Sequence, residues 1–259
     1  LALKDVVVFP QMVTALGVTT KNELKLLDTV LATNRFVVLV AQKDPDKEKL
    51  DTSDLYEIGT ASIVLQMLRM PDNTAKMLVQ GIARVRIKKF TDTDPFFKAK
   101  VKVVEDVLDK AGVEIEALAT NAKNQFTKMV SISPHLPEEL KIVVVNIEPP
   151  GRLADLITSH LNISIPEKQE ILELLNVKKR LQKVNAFINN ELQVLELASK
   201  IQSQVRNEME KGQREYYLRQ QLKAIQDELG EGDEHAVELN ELREKIKKAK
   251  LPKEAQDEA

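Results

Sequence analysis

The residue types that do chemistry are thinly spread in this chain. Its three histidines, His135, His160 and His235, lie far apart, and none belongs to an HExxH pattern that would set two metal ligands on one helix face. Cysteine is absent, which excludes disulfides, thiolate nucleophiles and Cys-based metal sites and fits a reducing compartment. No Gly-Lys dipeptide occurs, so no GxxxxGK(S/T) loop can cradle phosphates, and no GxSxG nucleophile elbow is present. Carboxylates are plentiful, with 40 Asp and Glu against 38 Lys and Arg. Nearly all of them fall on helical surfaces with a basic residue three or four positions away, the pattern of solvated faces rather than of acid–base pairs. Residue chemistry alone thus points to a binding or assembly module without catalytic equipment, metal or cofactor.

The bulk numbers agree. At 259 residues the chain can hold one large domain or two modest ones. A net charge of −2 gives no global pull toward nucleic acid or an anionic membrane. Aromatic residues make up 4% and Trp is absent, which favours long exposed helices over an aromatic-lined pocket. The apolar run Phe36 to Ala41 is far too short to cross a bilayer, and no leader precedes it. The chain begins at Leu1 and ends in KLPKEAQDEA, so it reads as a piece of something longer.

Periodicity divides the chain into an α+β arrangement. Residues 1–106 are β-rich: a strand from Asp5 to Phe9 stopped by Pro10, a period-two run Met12, Thr14, Leu16, Val18, and the wholly apolar Phe36 to Ala41, expected to be a central strand. Ile63, Leu65, Met67 and Met77, Val79 flank the turn Pro71-Asp72-Asn73-Thr74, the signature of a hairpin. Val85 and Ile87 alternate with Arg84, Arg86 and Lys88, and Ala99, Val101, Val103 with Lys98, Lys100, Lys102, predicting strands with one buried and one basic, wet face. Thr20 to Glu23 has capping-box spacing ahead of Leu24, Leu27 and Leu31. Several short strands with one helix suggest a barrel-like sheet. Residues 107–176 change to helical period, with a second capping box at Ser164 to Glu167, and predict a small bundle.

Residues 177–230 contain no proline, and their apolar positions Leu181, Val184, Ile188, Leu192, Leu195, Ala198, Ile201, Val205 and Met209 step by threes and fours, as a helix–helix seam requires. About 50 residues at ~1.5 Å each make a coiled-coil-like rod of about 80 Å, which must project or pair. Residues 231–259 form a charged helical segment up to Pro252.

Three segments resemble the Lon ATP-dependent proteases of bacterial type. They are Leu3 to Pro10 (LKDVVVFP), RLADL at 152–156 with His160-Leu161 and Lys168 to Glu173, and the 22-residue stretch Glu210 to Glu231 (EKGQREYYLRQQLKAIQDELGE). The likeness runs in order from Leu1 to about Ala255; Glu148-Pro149-Pro150-Gly151 departs from the family's usual single acidic-Pro step. It implies an N-terminal region built from a PUA-like β-barrel subdomain, a helical bundle and a long helix. The parent would be a cytoplasmic hexameric ring with an AAA+ ATPase and a Ser-Lys protease, using ATP and Mg, whose catalytic residues find no counterpart here.

A receptor for damaged proteins should present modest apolar surface. The expected substrate-binding residues are Pro10, Met12 and Leu16 in one loop, and Leu68, Met70 and Pro71 at the hairpin tip, Met being adaptable to many partners. Ordinary β-core is the plainer account of the same residues. Ile201, Val205, Met209, Tyr216, Tyr217 and Leu218 are the expected self-pairing surface of the long helix. The alternative is a stand-alone helical scaffold or a nucleic-acid-binding module with a PUA-like fold. The basic strand faces favour the latter, whereas the acidic loop 44–57 and the scarcity of stacking aromatics oppose it.

Overall fold

Thr20 opens the first helix as its spacing predicts. Its hydroxyl accepts from the Glu23 N–H at 3.3 Å while the Glu23 carboxylate accepts from the Thr20 N–H at 3.1 Å. The structure is a computed structural model and describes residues 1–47, 49–72, 74–107, 112–229 and 231–248. Asn73 in the hairpin turn, Gly230, and the stretch from residue 249 onward with Pro252 lie outside the described residues.

Strands β1 (Ala2–Leu3), β2 (Val13–Val18), β3 (Phe36–Ala41), β4 (Ile58–Arg69), β5 (Ala75–Asp92) and β6 (Lys98–Val103) form one sheet in the order β1-β3-β4-β5-β2, with β6 also on β5. Among the described strands only β1 and β3 pair in parallel. The inner face packs Val37, Leu39, Val64, Val79, Met77, Leu16 and Val18 onto Leu26, Leu27 and Val30 of helix α1 (Lys21–Ala32), so the helix plugs a strongly curved sheet. Bulges at Ala61/Ser62 and Val64/Gln66 supply part of that curvature.

Three expectations need correction. The first strand is Ala2–Leu3, not Asp5 to Phe9; Val7, Val8 and Phe9 are buried but irregular. The Val8 carbonyl is taken by the Thr60 hydroxyl at 2.5 Å, and Gln11 donates to Gly81, where any Cβ would run into the Phe9 carbonyl. Ala99, Val101 and Val103 are exposed, because β6 sits at an edge with nothing packed on it. Arg84 is buried, not wet, for reasons given below.

Helices α2 (Gly112–Ile132), α3 (Glu139–Asn146), α4 (Pro150–His160) and α5 (Ile165–Glu173) form the bundle, the last opened by the Ser164–Glu167 capping box. Helix α6 (Val177–Leu229) is continuous over 53 residues, and α7 spans Glu231–Lys248. The first turns of α6 bury Leu181, Val184, Ile188 and Leu192 against Phe126, Met129, Leu153, Ile157, Ile171 and Leu172. For that reason the compact units divide at 197/198, inside α6: Leu1–Leu197 is one unit and Ala198–Ala259 the other.

Candidate functional site

Strand alternation puts a second set of side chains on the outer face of the sheet. The registers Phe36↔Ile63, Ile63↔Gln80 and Val13↔Gln80 make one row, Gln66↔Leu78 and Ala15↔Leu78 the next, and Leu68↔Lys76 and Gly17↔Lys76 a third. The extra residues of the two bulges, Ile82 and Leu65, are exposed beside them. Along these rows Lys76 is the one charged residue. Phe36 and Val13 are each 51% exposed and Leu68 59%, and a Cβ at Gly17 would meet nothing within 4 Å. An apolar face of this breadth, left open on strands whose other face is packed by α1, is the arrangement of a binding surface.

The expected receptor residues separate across this sheet. Leu68 lies on the outer face, and Met70 and Pro71 continue from it into the exposed hairpin tip. Leu16 is a correction: at 6% exposure it points inward against the α1 core, because β2 turns its even-numbered residues to that side. Pro10 is half-buried, and Met12 packs on the helical core, so neither joins the tip in one patch. Phe36, Val13, Ile63 and Leu78 were not singled out from the sequence. The signal available was the alternation of β2, with Val13, Ala15 and Gly17 opposite Leu16 and Val18.

Behind the sheet sits a buried ion cluster that sequence reasoning also missed. Arg84 of β5 reaches Asp155 of α4 with both terminal nitrogens, at 2.9 and 2.5 Å, and donates its Nε to the Leu172 carbonyl at 2.9 Å. Arg180 of α6 grips Asp106 at 2.6 and 3.1 Å, approaches Asp155 at 3.4 Å, and donates to the Leu174 carbonyl at 2.7 Å. Burial pushes the Asp155 carboxyl above its ordinary value, and the charges of Arg84 and Arg180 oppose that rise. The four side chains tie the sheet, the β6–α2 connection, α4 and the first turn of α6 into one body. Arg84, Asp155 and Arg180 are buried and Asp106 alone of the four reaches the surface, and each side chain is committed to the others or to a carbonyl, so their role is positional. A Cβ at Gly151 would meet the Asp106 carboxylate and push it from its place beside Arg180.

No group of three His, Cys, Asp or Glu able to hold a metal occurs among the described residues. No helix there is long and apolar enough to cross a membrane.

The model for the substrate-binding domain of the ATP-dependent protease La (LON) matches residues 1–190. The chain belongs to the Lon family. The Lon protease of Dictyoglomus thermophilum is 49% identical over 259 residues, covering 100% of this chain and 32% of the relative. That of Azospirillum brasilense is 41% identical over 257 residues, 99% of this chain and 32% of the relative. The chain thus spans about a third of the length of these Lon proteases. Among solved structures, the N-terminal domain of Mycobacterium avium complex Lon protease shares the fold with a TM-score of 0.61 at 19% identity, over 73% of this chain and 96% of that one. A Lon N-terminal domain protein from Xanthomonas campestris gives 0.50 at 15% identity, over 72% and 95%. At these identities the likeness is one of fold.

Proposed function

We propose that this Lon substrate-binding domain receives unfolded or damaged protein on the open apolar face of its sheet, through Phe36, Val13, Leu78, Leu68 and the hairpin tip with Met70. The observation that carries this reading is that Val13, Phe36 and Leu68 are exposed and Leu78 half-buried on one face, while the opposite face is packed by α1. Unfolded chains differ from folded ones by their exposed apolar side chains, and an apolar sheet face with one lysine among its rows discriminates on that difference alone. The parent would be a cytoplasmic ATP-dependent serine protease acting on misfolded and regulatory proteins, with ATP and Mg used by parts of it outside these residues. The sequence has no Gly-Lys step, and among the described residues no three His, Cys, Asp or Glu side chains converge.

The test is the double variant Phe36→Ser with Leu68→Ser. Both side chains are more than half exposed, so thermal stability should change little, within about 0.5 kcal/mol. Binding of a reduced, alkylated and permanently unfolded protein should weaken at least about fivefold. Unchanged binding with an intact fold would remove the face from consideration.

A second surface supports assembly. On α6 the apolar stripe Val194, Leu197, Ile201, Val205 and Met209 is exposed along its length, Met209 by 61%, and continues to Tyr216, Tyr217 and Leu218. This spacing matches a helix-pairing seam and favours association with another copy, as expected in a hexameric parent.

A further inference from the structure

Strand β6 has one neighbour, β5, among the described residues, and all six of its residues are exposed. The Val104 N–H donates to the Arg84 carbonyl at 3.0 Å. In an antiparallel pair the bonding direction alternates, so Lys102 also turns its backbone toward β5, while Val103 and Val101 turn their N–H and C=O groups to the free edge. Among the described residues nothing pairs with that edge, which therefore offers a row of backbone donors and acceptors.

Its side chains are sorted by face. Lys98, Lys100 and Lys102 project to one side, Ala99, Val101 and Val103 to the other. On the basic side Arg86 stands directly opposite Lys102, and Lys89 opposite Lys100. Like charges in directly opposed positions destabilise a sheet. Lys98 has Asp92 at 3.3 Å, but Lys88, Lys89, Lys100 and Lys102 have no ion-pair partner among the described residues, and Arg86 Nε is buried without an acceptor. Single lysines on an edge strand guard against edge-to-edge pairing. Such a guard does not need two stacked like-charge pairs, whereas a row of incoming carboxylates would relieve both.

We propose that the free edge of β6 binds an extended acidic segment of a protein substrate as an added strand, its carboxylates meeting Lys100 and Lys102 and its alternate apolar residues lying beside Val101 and Val103. The proposal rests on the substrate-binding reading above but uses a different surface. A polypeptide fits the edge better than a nucleic acid does. The nearby rings are engaged, Phe97 edge-on to Phe90 at 5.8 Å and Phe96 against the α1 core with the Lys98 ammonium over it at 5.5 Å, so few faces remain for base stacking. An added strand also has the same period of two as the acid/apolar alternation the edge calls for.

The test measures fluorescence anisotropy of the eight-residue peptide (Glu-Val)4 on the full 259-residue chain at low salt. The comparison probes are (Lys-Val)4 and a single-stranded thymidine oligonucleotide. The acidic peptide should bind, the basic one should not, and the oligonucleotide should bind more weakly. Lys100→Glu with Lys102→Glu should cost about tenfold or more in affinity. Val101→Pro should cost as much, because it deletes an outward N–H while leaving the β5 ladder intact, and Val101→Thr should bind like the parent. Equal binding by Val101→Pro, with charge reversal still effective, would mean attraction without strand addition and would overturn the proposal. So would tighter binding of the oligonucleotide than of the peptide. Phe36→Ser with Leu68→Ser should bind the peptide normally. Loss in that variant would place the peptide on the apolar face, sinking the β6 assignment while leaving the earlier reading intact.

Discussion

The two halves of α6 carry the same apolar rhythm and meet opposite fates. Leu181, Val184, Ile188 and Leu192 are between 0% and 6% exposed; Ile201, Val205 and Met209, continuing the same steps of three and four, are between 50% and 61%. Periodicity reports that a helix face needs covering, not what covers it. In the first half the cover is supplied by α2, α4 and α5 of the same chain. In the second half every described side chain from Ala198 to Glu228 is exposed, so the seam is complete in sequence and open in the structure. The same lesson applies to the sheet, where Leu16 and Val13 belong to one strand but only the first is packed.

The largest expected effect comes from the point where the covered half of α6 is anchored. Asp155→Ala leaves the buried Arg84 and Arg180 guanidinium groups without their shared carboxylate, and removing one partner of a buried ionic cluster costs about 3–5 kcal/mol. Chemical denaturation of the unit Leu1–Leu197 should show that loss. A change below 1 kcal/mol would mean that Asp106 alone can hold both arginines. Close behind comes a matched pair of seam truncations. Leu181→Ala should destabilise by about 2–5 kcal/mol, Ile201→Ala by no more than about 0.5 kcal/mol. Equal costs would erase the contrast between the halves.

Much of the architecture was legible because its signals are local. The two capping boxes, at Thr20 and Ser164, need residues only three positions apart, and both form as spaced. The burial of Arg84 was not legible. Its alternation with Val85 read as a wet basic face, yet its partner Asp155 lies 71 residues away and brings a carboxylate that makes the interior tolerable for a guanidinium. The apolar face was hidden differently. Phe36 to Ala41 is hydrophobic at every position, so the strand could not declare which side is covered, and Phe36 proves exposed while Val37 and Leu39 are buried. Bulges at Ile87/Lys89 and Phe90/Asp92 further break the period that a strict reading of β5 relies on.

A smaller effect should appear in solution rather than in stability. Replacing Ile201, Val205 and Met209 together by Ser removes exposed apolar surface without emptying any core, so melting of the packed unit should be unaltered. Sedimentation over a range of concentrations should show the parent chain associating and the triple variant remaining monomeric. A parent chain that stays monomeric at high concentration would break the idea that the open half of the seam pairs in this chain.

The smallest effect sharpens the contrast through pH. His160 closes α4 with its ring 6.4 Å from that of Phe126, and burial lowers its pKa below the ordinary 6.5, with Lys168 pushing weakly the same way. An unfolded chain takes up this proton near pH 6.5, the folded chain only at lower pH. The contribution of neutral His160 is therefore fully present above about pH 6.5 and is lost as pH falls through that value toward the folded pKa. The denaturation midpoint of the packed unit should fall from pH 7 to pH 5, and His160→Gln should flatten part of that slope. The open half of α6 cannot contribute to it, since residues 198–228 contain no histidine. If His160→Gln and the parent run parallel over this interval, the ring is solvated in the folded state, and the packing of α4 against Phe126 is looser than its distances imply.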